Sequence, residues 1–256
     1  MIKKIVIFPL ILFILFLLFE TDASQSWSAV SWRHPLGTDE FGRDILATVC
    51  ISMLKSIFKA IILSSIAMFL GFLCAYTIVF FRSRTLSRLI DICALIIESI
   101  PLMLWVMVLI IVLPIPNIVL LLSFSIATLP FVTRVVVGEM ERLKAQPFVE
   151  ASLLVGASQW DCCWRHVLPN SVSVLAPLSI QLSGSAAGAD GLFGLIGLGN
   201  RSNLNIGTLL LRSKENVLLH PELMIIAIVA MAIVFLYFWV LFSFLDPKST
   251  IHRLFL

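Results

Sequence analysis

Charge is what this sequence has least of. Asp, Glu, Lys and Arg make up 13% of its 256 residues, against about 25% in an ordinary soluble domain. So small a stock cannot cover a water-facing surface, and the chain must be solvated by lipid. A glycine-rich phosphate loop of the form GxxxxGK[ST] is missing, so ATP cannot bind by that route. No nucleophile–base constellation occurs. No basic stripe with interleaved aromatics occurs either, which leaves no case for nucleic acid. The five cysteines (Cys50, Cys74, Cys93, Cys162 and Cys163) are odd in number and lack CxxC spacing. They read as small apolar residues and free thiols, outside any disulfide frame or metal site. No cofactor is expected in the chain. An internal repeat, which a secondary transporter built around a midplane site would carry, is also missing.

What is present is apolar. Hydrophobic residues make up 60% of the chain, and mean hydropathy is +1.06. Runs of eighteen or more apolar residues recur, each long enough to cross a hydrocarbon core about 30 Å thick. A β-barrel would show short alternating segments instead. The fold class is therefore all-α, a polytopic membrane protein with six transmembrane helices in one transmembrane domain, residues 1–256. The spans are expected at 5–19, 57–81, 89–113, 118–132, 167–198 and 223–245. The first follows Lys3 and Lys4 and reads as an uncleaved anchor, with a cleaved signal peptide as the alternative. Residues 44–55 read as an interfacial helix, with Lys55 and Lys59 reaching for the headgroups. Pro101 is expected to kink the third span.

Six spans put both termini on one side. That side collects eleven Lys and Arg residues: Lys3, Lys4, Arg82, Arg84, Arg88, Arg134, Arg142, Lys144, Arg165, Lys248 and Arg253. The other side has seven: Arg33, Arg43, Lys55, Lys59, Arg201, Arg212 and Lys214. The bias places the termini, and the polar island at 134–166, in the cytoplasm.

Within the island, Glu139 to Ala145 are good helix formers. Pro147 breaks that helix and suits the first turn of another. A short helix from Pro147 to about Val155 follows, with Glu150 in its early turns, where a carboxylate meets the positive helix end. Ala151, Ser152 and Gly156 are small enough for another backbone to approach. Gly156 supplies the C-cap or turn, and Ser158 caps a second short helix. An ordinary inter-span loop would show the same periodicity.

Three motifs sharpen this. Glu150-Ala151-Ser152, then Gly156-Ala157, then Arg165-His166-Val167-Leu168-Pro169-Asn170 resembles the EAA loop of permease subunits of binding-protein-dependent ABC importers. His34-Pro35-Leu36-Gly37-Thr38-Asp39-Glu40-Phe41-Gly42-Arg43-Asp44 is similar to the LGTDxxGRD segment of the dipeptide, oligopeptide and nickel branch. Asp190-Gly191-Leu192-Phe193-Gly194-Leu195-Ile196-Gly197-Leu198-Gly199 is similar to that branch's fifth-span ExxLSFLGLG. The motifs come in the family's order, and the match is to the second, C-type permease of the pair. Ser152 stands for the second alanine of EAA, and Asp190 for the usual Glu. The PPxPxWG stretch is replaced by Arg201-Ser202-Asn203-Leu204-Asn205-Ile206-Gly207. Of the sixth-span ending only Leu245-Asp246-Pro247 is retained.

The resemblance implies an ABC type I importer permease fold in the bacterial inner membrane. It implies a homologous permease partner, two ATP-binding subunits and an extracytoplasmic solute-binding protein. The solute would be a peptide, nickel or a metal chelate. Glu150, Ala151, Ser152, Gly156 and Ala157 would form the coupling helix that enters the ATPase. A secondary transporter, or a membrane scaffold or sensor that binds ATPases without passing solute, is the alternative. Ser183, Gly184, Ser185, Ala186, Ala187 and Gly188 form a small-residue face, read either as a permease-dimer contact around the path or as packing within the chain. Asp190, a costly carboxylate in a span, lines the path, pairs with a cation or bonds between helices. Glu98 and Asp91 carry the same alternatives, with Arg88 near Asp91. Asp39, Arg43 and Asp44 could form an ion-pair network shaped by turns at Gly37 and Gly42. That outer segment either packs structurally or meets the solute-binding protein. His34, His166 and His220 show no ligand set around them.

Overall fold

A computed structural model describes residues 2–19, 26–81, 84–113, 116–198 and 204–245. Ten α-helices occur among them: α1 (Ile2–Phe19), α2 (Ile45–Phe81), α3 (Arg84–Ser99), α4 (Leu102–Val112), α5 (Pro116–Lys144), α6 (Pro147–Leu154), α7 (Gln159–Cys162), α8 (Leu168–Leu195), α9 (Ile206–Glu215) and α10 (Pro221–Leu245). A five-residue π-helical turn, Cys163–Val167, joins α7 to α8. Among the described residues no strand forms beyond one isolated bridge between Thr38 and Asp44.

Among the described residues, four continuous helical stretches are long and apolar enough to cross a bilayer: Ile45–Phe80, Ile118–Lys144, Gln159–Leu195 and Pro221–Leu245. A fifth crossing is available only if Ile92–Ser99 and Leu102–Val112 count as one span, and these bend by 91° at their break. The apolar part of α1, Ile7–Leu17, is shorter than a span. The count of six is therefore not reproduced by length and composition. The expected third span is two helices, because Pro101 cannot donate a helical hydrogen bond and disfavours the α region at the residue before it. Residues 44–55 are not a separate interfacial helix. They begin α2, whose 37 residues extend about 55 Å. The helix that holds the fourth span runs on past residue 132 to Lys144, and its last residues, Glu139 to Lys144, are good helix formers.

The chain divides into two compact units, Met1–Ala60 with Gly184–Leu241, and Ile61–Ser183 with Phe242–Leu256. In the first, glycines let helices meet. Gly188 lies against Phe235, and Gly191 against Met231, both on α10. Gly194 lies against the Gly207 backbone of α9, where an added Cβ would sit 2.1 Å from a main-chain carbon. Asn205 caps α9 through a capping box with Thr208, and Ile206 N donates to Ser56 Oγ at 2.9 Å. In the second unit, Val132, Val136, Met140 and Leu143 of α5 pack with Ala75, Val79 and Phe80 of α2 and with Leu178 and Leu182 of α8. Asp91's side chain, the turn at 114–115, residues 199–203 and the Asp246-Pro247 ending lie outside the described residues.

Candidate functional site

The island is a rigidly rooted knuckle. At its entry, Arg142 holds Glu139 with two hydrogen bonds of 2.7 and 2.6 Å. Lys144 Nζ donates to the Val79 carbonyl at 2.7 Å and lies over the Phe80 ring. Gln146 is extended, Pro147 takes the first helical position, and α6 begins as expected. Val149 on α6 is fully buried and belongs to the core with Cys162, Cys163 and Val167. Gly156, at φ +96°, turns the chain out of α6. Ser158 caps α7: Asp161 N donates to its Oγ at 3.0 Å, and Oγ donates to the Asp161 carboxylate.

The outer surface of this knuckle is apolar where a solvated helix would be polar. Leu154 and Val155 are 84% and 90% exposed, and Phe148 is also exposed. Glu150, Ala151 and Gly156 are exposed beside them, while Ser152 and Ala157 are half-buried. So Val149 ties α6 to the helical core while its far end presents Leu154 and Val155. Behind it, Tyr76 meets Trp160 edge-on, and Trp160 stacks on Trp164.

The step from α7 into α8 has a definite cause. Pro169 has no N–H, so an α-helical turn there would lose a hydrogen bond and crowd the carbonyl four residues back. The preceding residues form a π-turn instead, and Asn170 Nδ2 donates to the His166 carbonyl at 2.6 Å. The motif Arg165 to Asn170 thus spans the end of the π-turn and the proline that follows it.

The other predicted residues fall into separate places. Asp190 is buried and receives Lys59 Nζ at 2.5 Å, with Asn205 Nδ2 at 3.5 Å. Lys59, expected at the headgroups, instead turns to this carboxylate. Gly184 and Gly188 face Phe238 and Phe235 of α10, so these two pack within the chain. Ser183 Oγ bonds Ser64 Oγ at 2.7 Å, and Ser185 is exposed. Glu98 accepts from Arg134.

The outer segment is built by backbone capture. Asp39 accepts from Phe41 N and Arg43 N, each at 2.9 Å. Asp44 caps α2 through Ala47 N at 2.9 Å and pairs with His34 at 3.0 Å. Thr38 Oγ1 accepts from Ser28 N. Gly37 and Gly42 have positive φ as their turns require. Arg43 lies over Phe41, which Arg212 also approaches. His220, expected to lack partners, pairs with Glu222 at 2.9 Å and stacks on Trp27 at 3.7 Å. Sequence reading missed Lys59 and Asn205. Asn205 had a signal in the Asn-Ile-Gly-Thr spacing of a capping box, whereas the Lys59 pairing spans 131 residues and had none.

Long apolar helices and a bent helix pair define a polytopic helical membrane protein. The chain belongs to the family of binding-protein-dependent transport system inner membrane components, which matches residues 67–251. It is 32% identical over 175 residues to a probable D,D-dipeptide transport system permease protein of Escherichia coli (strain K12), covering 66% of this chain and 56% of that protein. It is 27% identical over 170 residues to an oligopeptide transport system permease protein of Bacillus subtilis (strain 168), covering 65% and 54%. It is 26% identical over 228 residues to a glutathione transport system permease protein of Pectobacterium atrosepticum, covering 85% and 74%. The matches to the first two thus span a little over half of those proteins.

Proposed function

We propose that this chain is a permease subunit of an ATP-driven importer for short peptides. It pairs with a second, homologous permease, two ATP-binding subunits and an extracytoplasmic solute-binding protein. Both termini and the α6–α7 knuckle face the cytoplasm. Glu150, Ala151, Ser152, Gly156 and Ala157 form the coupling surface. The exposed Leu154 and Val155 at the end of a helix anchored by buried Val149 carry this reading. An apolar tip on a rooted helix transmits displacement, and it lacks a solvent-facing rationale. The relatives' names, for a dipeptide, an oligopeptide and glutathione, support a peptide solute. Ser185 on the exposed side of α8, with Asp190 behind it, faces the path. Ser183, Gly184 and Gly188 hold α8 in place. The segment Gly37 to Asp44 orders the outer face met by the solute-binding protein.

ATP-dependent uptake of a labelled dipeptide into vesicles holding the full complex tests this. Uptake that needs ATP, and that falls to background with Gly156→Asp because the added carboxylate sits in the apolar coupling surface, is expected. Unchanged uptake by Gly156→Asp removes the knuckle from coupling. No dipeptide uptake by the intact complex removes the solute class.

A further inference from the structure

A cavity of about 490 Å³ lies within the second unit, walled by one face each of α2, α3 and α5. Cys74 and Ile78 come from α2. Ile90, Ala94 and Ile97 come from α3. From α5 come positions 129, 130, 133, 134, 137, 138 and 141, a single helical face about 18 Å long. Its volume is that of a small-molecule site, roughly 300–1,000 Å³. Apart from Arg134, the site residues described above do not line it, and the knuckle does not border it.

Two observations mark it as a built space. The first is Gly138. A Cβ added there meets nothing within 4 Å, so no close packing requires a glycine. Mid-helix glycine costs about 1 kcal/mol against alanine, and here it leaves the end of the cavity open. The second is charge placement. The walls are apolar except at the Thr133 hydroxyl and at the charges of Arg134 and Glu141, which lie two turns apart on α5. Arg134 is already bonded to Glu98 through one nitrogen and keeps other guanidinium donors. Glu141 is exposed. On the same helix as Ile90, Ala94 and Ile97, Ile92, Leu95 and Ile96 form an exposed apolar stripe.

We infer that this cavity holds a phospholipid with an ammonium headgroup, phosphatidylethanolamine. An acyl chain fills the slot past Ala94, Leu129 and Val137. The phosphate meets Arg134, and the ammonium meets Glu141. A purely anionic headgroup would set its charge against Glu141 with no ammonium to offset it. The knuckle's role in coupling is not needed for this assignment.

The test uses the full complex, purified from nanodiscs containing equal phosphatidylethanolamine and phosphatidylglycerol, with retained lipid measured by mass spectrometry. Cys93, exposed and on the cavity wall, adds a second readout through maleimide labelling. About one phosphatidylethanolamine per chain is expected to persist, with Cys93 labelling slowed. Gly138→Phe, or Cys93→Phe if the first variant fails to fold, abolishes retention. Glu141→Gln lowers the headgroup preference about tenfold, the size of one lost charge-assisted contact. Retention of both lipids equally overturns the headgroup assignment. No retained lipid in the intact complex overturns the site. Absence of lipid together with loss of the partner permease in Gly138→Phe identifies the occupant as that partner.

Discussion

At the residue scale, two positions carry most of the account. Gly156 needs φ +96° but has open space where a Cβ would go. Its constraint is conformational. Gly156→Ala should destabilise the turn by about 1 kcal/mol, since only glycine and, less often, Asn or Asp visit this region routinely. Gly156→Asn should keep the turn. Stimulated ATPase activity in the complex checks this: a loss with Ala and retention with Asn is expected, and equal loss would mean that bulk at the position matters instead. The second position is Asp190. Lys59 is 24% and Asp190 7% exposed at the side chain, so removing either partner strands a charge. Lys59→Met or Asp190→Asn alone should cost about 3–5 kcal/mol, and the pair changed together far less. A double-mutant cycle on unfolding in bicelles measures it, and additive losses would contradict the pairing. Gly156 was legible in the sequence because turn chemistry is local. Lys59 was not, because hydropathy treats a lysine near a span end as snorkelling and cannot see a carboxylate 131 residues away.

At the element scale, short-range signals were read well and the ends of long helices were not. Pro147, Gly156 and Ser158 bounded α6 and α7 correctly, because proline, left-handed glycine and a hydroxyl cap act within one turn. The helices α2 and α5 extend beyond the expected spans, α2 at its start and α5 at its end, because helix formation need not stop where hydrophobicity falls. Pro101 was read as a kink, and the bend it accompanies is a full break of 91°. Two expectations follow from packing. Val149 is fully buried at the root of α6, so Val149→Ala should cost about 1–2 kcal/mol by analogy with other large-to-small core changes. It should loosen coupling without ending ATPase association, and unchanged transport with unchanged thermal stability would contradict the anchoring role. Gly194→Ala should be far more damaging, because its Cβ would fall 2.1 Å from the Gly207 backbone. Loss of folded protein on size exclusion is expected, whereas a normal yield with normal melting would show that α8 and α9 need not approach so closely.

At the scale of the whole molecule, composition alone identified a lipid-solvated helical chain, since so few charges cannot make a water-facing surface. The family was legible through three motifs in order. Among the described residues four or five helical stretches are long and apolar enough to cross, and the short apolar α1 lies where the first expected span falls. Orientation rests on the Lys and Arg bias and has a direct check. Leu154 and Leu218 are 84% and 95% exposed. In a background lacking Cys93, Leu154→Cys should react with an impermeant maleimide only in inverted vesicles, and Leu218→Cys only from outside intact cells. The reverse pattern would invert the topology. The central claim is that the α6–α7 knuckle grips an ATP-binding subunit. Its most direct measurement is co-purification of that subunit with the intact chain and with Val155→Asp, an exposed change that leaves the buried core untouched. The account predicts stoichiometric co-purification with the first and loss with the second at unchanged melting temperature. Equal co-purification with both would contradict it.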